Sequence, residues 1–221
     1  RIKANLLDEY SKGLSFKVYM EGISKFHFIP ELKIQNIIIN IYSRIASQVT
    51  EDNDLEILKE VIERAIENFD SISTDTKNNL FTAIKSIAQT MEKKGAIEEE
   101  KYFRQTELKY FVDMKGLEFE REIANSYYRL LKISLEERDV ENRDAIYQQL
   151  KQYLKNSHEP LLLEYYNKGT LEYIEEIFKR GEFTKIKDIL EEFTPKSEDL
   201  KGEYYKAKVL KQLGNNKAAL S

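Results

Sequence analysis

Apolar residues recur along nearly the whole chain at the three-and-four spacing of an amphipathic helix. Over Glu31–Val49, one stripe is Ile34, Ile37, Ile38, Ile41 and Ile45, and a second is Leu32, Ile39, Tyr42, Ala46 and Val49. Two stripes on one helix predict two packing neighbours. Asp54–Phe69 carries a single narrower stripe of Leu55, Leu58, Ile62, Ala65, Ile66 and Phe69, behind the acidic cluster Asp52-Asn53-Asp54. Such a cluster suits the exposed N–H groups and the positive dipole end of a helix start.

The alternation of broad and narrow faces continues. Thr74–Lys94 carries Leu80, Ile84, Ile87, Ala88 and Met91 and stops at Gly95, and Ala96–Met114 carries Ile97, Phe103, Leu108 and Phe111 and stops near Gly116. Leu117–Arg138 is apolar on two sides, through Ala124, Tyr127, Tyr128, Leu131 and Leu135 and through Ile123 and Leu130. Val140–Lys155 is narrow again, with Ile146, Leu150, Tyr153 and Leu154. Beyond Pro160, a good first-turn residue, the pattern predicts Leu161–Lys168, Thr170–Arg180, Phe183–Phe193 and, capped by Ser197, Glu198–Leu213. About ten helices result, in antiparallel pairs joined by short turns at Glu51-Asp52, Gly95, Asp139, Gly181 and Gly214. Those turns recur at steps of about 42–44 residues and then about 33, the signature of an α-solenoid. One hairpin cannot bury its own broad face, so the broad-faced helix has to touch the next hairpin as well. The fold class expected is all-α, an α-α superhelix, with residues 1–30 as an N-terminal helical cap and 31–221 as repeats of a single domain.

The last two hairpins resemble tetratricopeptide (TPR) repeats. The resemblance is carried by Ile177-Phe178-Lys179-Arg180-Gly181-Glu182-Phe183 and by Leu210-Lys211-Gln212-Leu213-Gly214-Asn215-Asn216-Lys217-Ala218-Ala219. Their glycines stand about 33 residues apart. Tyr102–Leu154 is similar to the longer-helix variant found in bacterial sensor and regulator proteins. Its core there is Ala124-Asn125-Ser126-Tyr127-Tyr128-Arg129-Leu130-Leu131, followed by Glu136-Glu137-Arg138-Asp139-Val140-Glu141-Asn142-Arg143-Asp144-Ala145-Ile146-Tyr147. Asp139 stands where the turn glycine is usual, tryptophan is absent, and a proline closing the second helix is present only at Pro195. The resemblance implies a scaffold whose concave face, lined by the first helix of each pair, binds a peptide or a partner helix. Among bacterial relatives such arrays form the peptide-sensing half of regulators.

Composition narrows the function classes. Eight glycines and three prolines leave little room for the turns of a β-sandwich, and the absence of cysteine excludes disulfides and thiolate zinc sites. A net charge of −4 argues against direct nucleic-acid binding, which rests on concentrated Lys and Arg. Only His27 and His158 are present, His27 at the apolar end of a helix and His158 in a polar loop before one. No HExxH, GxxxxGK[ST], GxGxxG or GxSxG occurs. The carboxylate clusters Glu98-Glu99-Glu100, Glu118/Glu120/Glu122, Glu136-Glu137, Glu175-Glu176 and Glu191-Glu192 read as solvated helix faces with i, i+4 support. Fourteen tyrosines include the pairs Tyr127-Tyr128, Tyr165-Tyr166 and Tyr204-Tyr205. Either all are packing residues with hydroxyls reaching water, or one of each pair enters the core while its neighbour edges a groove.

The expectation is a non-enzymatic interaction domain without cofactor or metal, binding a peptide or protein. A second copy of the chain is a further candidate partner. The surface expected to bind is the polar side of the first helices: Asn36, Asn40, Ser43 and Ser47; Thr82, Lys85 and Gln89; Asn125, Arg129 and Lys132; Tyr205, Lys208 and Gln212. An Asn donates to and accepts from a peptide backbone at once, while Lys and Arg fix carboxylates. The other reading is the regulatory or dimerisation domain of a transcription regulator that meets nucleic acid only through another domain. No signal-peptide pattern or membrane-length apolar run occurs, which reads as cytoplasmic. The start at Arg1 and the stop at Ala218-Ala219-Leu220-Ser221, within a helical pattern, read as part of a longer protein.

Overall fold

The computed structural model describes residues 12–27, 29, 31–46, 52–155, 157–193, 204 and 207–211. All regular structure among them is helical. The helices are α1 (Lys12–Phe26), α2 (Leu32–Ile45), α3 (Asp52–Glu67), α4 (Thr74–Lys94), α5 (Ile97–Phe111), α6 (Leu117–Glu137), α7 (Val140–Leu154), α8 (Pro160–Lys179) and α9 (Phe183–Glu192). Residues 207–211 are helical as well. The N-cap expected at Ser197 and the turn at Gly214 lie outside the described residues. No helix among the described residues is long and apolar enough to cross a membrane.

The chain divides into two compact units, Arg1–Met114 and Lys115–Ser221. In the first, Gln35 at the start of α2 and Arg64 near the end of α3 both donate to the His27 carbonyl, at 3.0 and 3.1 Å, so α2 and α3 run antiparallel. Glu63 of α3 meets Tyr102 of α5, and Phe69, in the turn just after α3, meets Tyr110 farther along α5, so those two helices run parallel. With the reversal at Gly95, α2 and α4 then lie side by side in the same direction. The second unit repeats the scheme. Arg143 reaches Glu182 and Lys151 reaches Glu192, which sets α7 parallel to α9 and α6 parallel to α8.

The reversals share one geometry. Gly95, Arg138 and Gly181 all have positive φ, at 71°, 59° and 76°. The following N–H groups of Ala96, Asp139 and Glu182 close onto the Met91, Ser134 and Ile177 carbonyls. This is the left-handed helix end that favours glycine, and it recurs at equal steps of about 43 residues. At the second reversal the left-handed residue is Arg138. Asp139 instead caps α7, its carboxylate accepting from the Asn142 N–H at 3.2 Å.

The broad faces are where the pattern placed them. Leu80, Ile84, Ile87, Ala88 and Met91 of α4 are buried, as are Ile123, Ala124, Leu130 and Leu131 of α6. Each such aliphatic side chain contributes about 1.5–3 kcal/mol on burial. Ile37 is a departure, 48% exposed, because the buried arc of α2 centres on Ile38, Tyr42 and Ile45 and leaves Ile37 beyond its edge. A second departure is α8, one continuous helix where the sequence predicts Leu161–Lys168 and Thr170–Arg180. Gly169 does not break it. It is buried, and a Cβ there would stand 2.7 Å from Leu150 Cδ2 and 3.4 Å from Leu131 Cδ2. Glycine is required by close approach rather than by a turn.

The end of α7 nearest Arg138 is tied to α8 and α9 by charge. Arg143 is fully buried, its guanidinium 2.8 Å from Asp144 and 5.4 Å from the Tyr173 ring. Tyr173 stacks on Tyr147 at 4.0 Å and donates to Asp144 at 2.7 Å. Burial pushes the Asp144 carboxyl up, but hydrogen bonds from Lys185, Tyr173 and Arg143 outweigh it and hold the group below the usual carboxylate range.

Gly169→Val should destabilise the protein by about 1–3 kcal/mol through overpacking against Leu150 and Leu131, read from urea unfolding. Because the folded Asp144 carboxyl titrates below its unfolded value of about 4, its contribution is complete above that value and is lost as pH falls through the folded one. Thermal melts at stepped pH should therefore show wild type losing stability below about pH 4 more steeply than Asp144→Asn.

Candidate functional site

The polar side of α2 faces the first turns of α4, and the two enclose a cleft of about 440 Å³ lined by Asn40, Ser43, Arg44, Asp75, Asn78 and Asn79. Helical spacing puts these residues together. Asn36, Asn40 and Ser43 are a turn apart on one side of α2, opposite the buried Ile38, Ile45 and Tyr42. On α4, Ser73 caps the start, its hydroxyl accepting from the Thr76 N–H at 3.2 Å. That start sets Asp75, Asn78 and Asn79 along one flank while Thr76 and Leu80 go into the core.

The amides are cross-linked across the cleft. Asn79 Nδ2 donates to Asn40 Oδ1, and to the Asp75 carbonyl at 2.9 Å. Ser43 Oγ donates to the Asn40 carbonyl at 3.0 Å, and Thr82 Oγ1 to the Asn78 carbonyl at 2.9 Å. Two side-chain oxygens on this polar side, Asn36 Oδ1 and Asn78 Oδ1, are buried without a hydrogen-bond partner. A cleft with fixed amides, spare acceptors, a guanidinium at Arg44 and a carboxylate at Asp75 can pair with a polypeptide backbone and with charges of either sign.

The expected surface residues separate into groups. Asn40 and Ser43 line the cleft, and Asn36 lies one turn before Asn40. Thr82 is exposed, and Lys85 and Gln89 are half-buried farther along α4. In the second unit Asn125 donates to Glu122 at 3.2 Å, and Arg129 and Lys132 are half-buried on α6. Lys208 lies over the Tyr204 ring at 4.4 Å and near the Phe178 ring at 5.7 Å. Ser47, Tyr205 and Gln212 lie outside the described residues. Asp75, Asn78 and Asn79 were not among the expected residues. Their signal was the dense run of short polar side chains between Ser73 and Asn79, ahead of the apolar stripe that begins at Leu80.

Two carboxylates expected on solvated faces are buried, Glu100 and Glu122. Glu100 lies 3.9 Å from Arg104, which is fully buried and also stands 3.4 Å from Glu107 and 3.3 Å from Glu92. Helical spacing supplies the reason, since 100, 104 and 107 share one face and each carboxylate there has an arginine within a turn. His27 is half-buried just beyond α1, with Nε2 3.1 Å from Glu60 and Nδ1 3.1 Å from the Ile23 carbonyl. His158 is exposed in the loop before α8. Among the described residues no group of three or more His, Cys, Asp or Glu is placed to hold a metal ion. Of the tyrosine pairs, Tyr127 is buried while Tyr128 is half-buried and donates to Glu172 at 2.9 Å. Tyr165 and Tyr166 are both half-buried.

Arg104→Ala should cost about 3–5 kcal/mol, because it leaves Glu100 and Glu107 buried without their cation. Arg104→Met combined with Glu100→Gln and Glu107→Gln should recover most of that loss in urea unfolding followed by circular dichroism.

No family model matches the chain, and neither a curated protein nor a solved structure matches it.

Proposed function

We propose that the chain is a binding module, a TPR-like helical-repeat domain acting in the cytoplasm that holds an extended segment of a partner polypeptide against α2 and α4. The observation that carries this reading is the amide-lined cleft, with Asn40 and Asn79 tied across it and Asn78 keeping an unpartnered acceptor oxygen, as does Asn36 one turn before Asn40. A buried acceptor without a donor is costly, by about 1–3 kcal/mol. A peptide N–H is a donor of the right kind, and an extended strand offers one on each side at every second residue. The equal spacing of the left-handed helix ends supports the repeat part of the reading. Side-by-side first helices are what such a scaffold uses to present a polar row.

A peptide-library selection on the intact protein tests it. Asn40→Ala combined with Asn79→Ala should weaken the selected peptide about tenfold or more, as two side-chain-to-backbone hydrogen bonds of about 1 kcal/mol each are lost. Thr184→Ala, at an exposed position on α9, should leave affinity unchanged. Unaltered affinity in the double variant, with its fold intact by circular dichroism, would count against the cleft.

A further inference from the structure

A second polar cleft, of about 500 Å³, is lined by Gln35, Glu60, Glu63, Arg64, Glu67 and Asn68. We propose that it takes the guanidinium of an arginine side chain presented by a partner polypeptide, held between the α3 carboxylates and the Gln35 amide oxygen. This site shares no lining residue with the cleft between α2 and α4 and goes beyond the function proposed above.

The argument begins with Gln35. Its side chain is 4% exposed, and its Nε2 donates to two carbonyl oxygens, those of His27 at 3.0 Å and Ile29 at 2.5 Å. Exchanging the amide nitrogen and oxygen would set an acceptor against two acceptors, so the orientation is dictated by the backbone around it. Gln35 lines the cleft, and the other end of its amide, Oε1, is buried with no hydrogen-bond partner. An unpaired acceptor on a residue that lines a cleft calls for a donor.

The walls specify which donor. Glu60, Glu63 and Glu67 follow one another on α3 at i, i+3 and i+7, all exposed. Glu60 meets His27 Nε2 at 3.1 Å, and Glu63 accepts from the Tyr102 hydroxyl at 3.2 Å. Each keeps a second carboxylate oxygen for other partners. Glu67 has no partner among the described residues. The one lining cation, Arg64, is turned to the His27 carbonyl at 3.1 Å. Three carboxylates against one guanidinium leave the cleft acidic. Neighbouring carboxylates on such a helix row stand about 5–6 Å apart at Cβ. No metal-holding group is formed among the described residues. A compact cation therefore fits less well than a broad planar one whose several N–H groups reach two carboxylates and an amide oxygen together.

The test uses the intact protein with blocked arginine (N-acetyl-arginine N-methylamide), its lysine and citrulline counterparts, and free arginine, followed by NMR titration at low salt. Blocked arginine should bind saturably and about tenfold tighter than neutral citrulline, since charge-assisted bonds are roughly twice as strong as neutral ones. Lysine should bind more weakly for want of the planar array. Free arginine should also bind more weakly, because its own carboxylate meets the acidic row. Glu67→Gln, at an exposed position with no partner to lose, should weaken binding about threefold, and Glu63→Gln with Glu67→Gln about tenfold. Asn40→Ala with Asn79→Ala should leave it unchanged, which separates this site from the peptide cleft. Citrulline, lysine or free arginine binding as tightly as blocked arginine would overturn the assignment. So would unchanged affinity in the Glu63/Glu67 double variant.

Discussion

Both halves of the chain depend on one packing constraint: a two-helix hairpin leaves one side of its first helix wet. The sequence answers it by making the first helix of each pair apolar on two sides, so that α2 can meet α4 and α6 can meet α8. The second helices need less. Only Ile186 and Ile189 are buried within α9, whereas nine residues are buried within α6. Because the first helices pair along their apolar flanks, their polar flanks are brought side by side as well. The amide cleft is a by-product of that pairing before it is anything else.

Charge is used inside the units in a way that hydrophobic periodicity does not reveal. Arg104 and Arg143 are both fully buried, and both sit on second helices, α5 and α7. Each reaches an acidic side chain beyond its own helix: Glu92 of the hairpin partner α4 for Arg104, Glu182 before α9 for Arg143. A buried guanidinium demands several acceptors in fixed places, so it penalises any register but one. Leucine at either position would demand no acceptor and specify less.

The fold was largely legible from the sequence, and the site only partly. Helix limits followed from apolar spacing and from Gly95, Pro160 and Gly181, whose backbone roles are local. Local rules failed at residue 169, where a glycine was read as punctuation although its role is set by Leu131 and Leu150, distant in sequence. They failed again at 138 and 139. The left-handed turn there is occupied by Arg138, so a search for glycine located the reversal one residue late and blurred an otherwise even repeat. Burial of Glu100 and Glu122 was missed for a related reason. A carboxylate on a helix looks solvated until the arginine that closes over it, or the amide that pairs with it, is seen in three dimensions. Within the site, Asn40 and Ser43 could be named from one helix alone. Asn78 and Asn79 gain meaning only when α2 is laid beside α4. The unpaired oxygen of Gln35 needed the carbonyls of His27 and Ile29 to fix it.

Gly169 has a consequence for how this sequence can vary. Helix propensity favours almost any residue over glycine at the centre of a long helix, so mutation at 169 would be expected to drift away from it. The contact with Leu150 and Leu131 closes that path unless one of those leucines shrinks first. Positions 131, 150 and 169 should therefore change together or not at all among descendants of this sequence. Two helices of one hairpin and the first helix of the next would then share a single covarying unit.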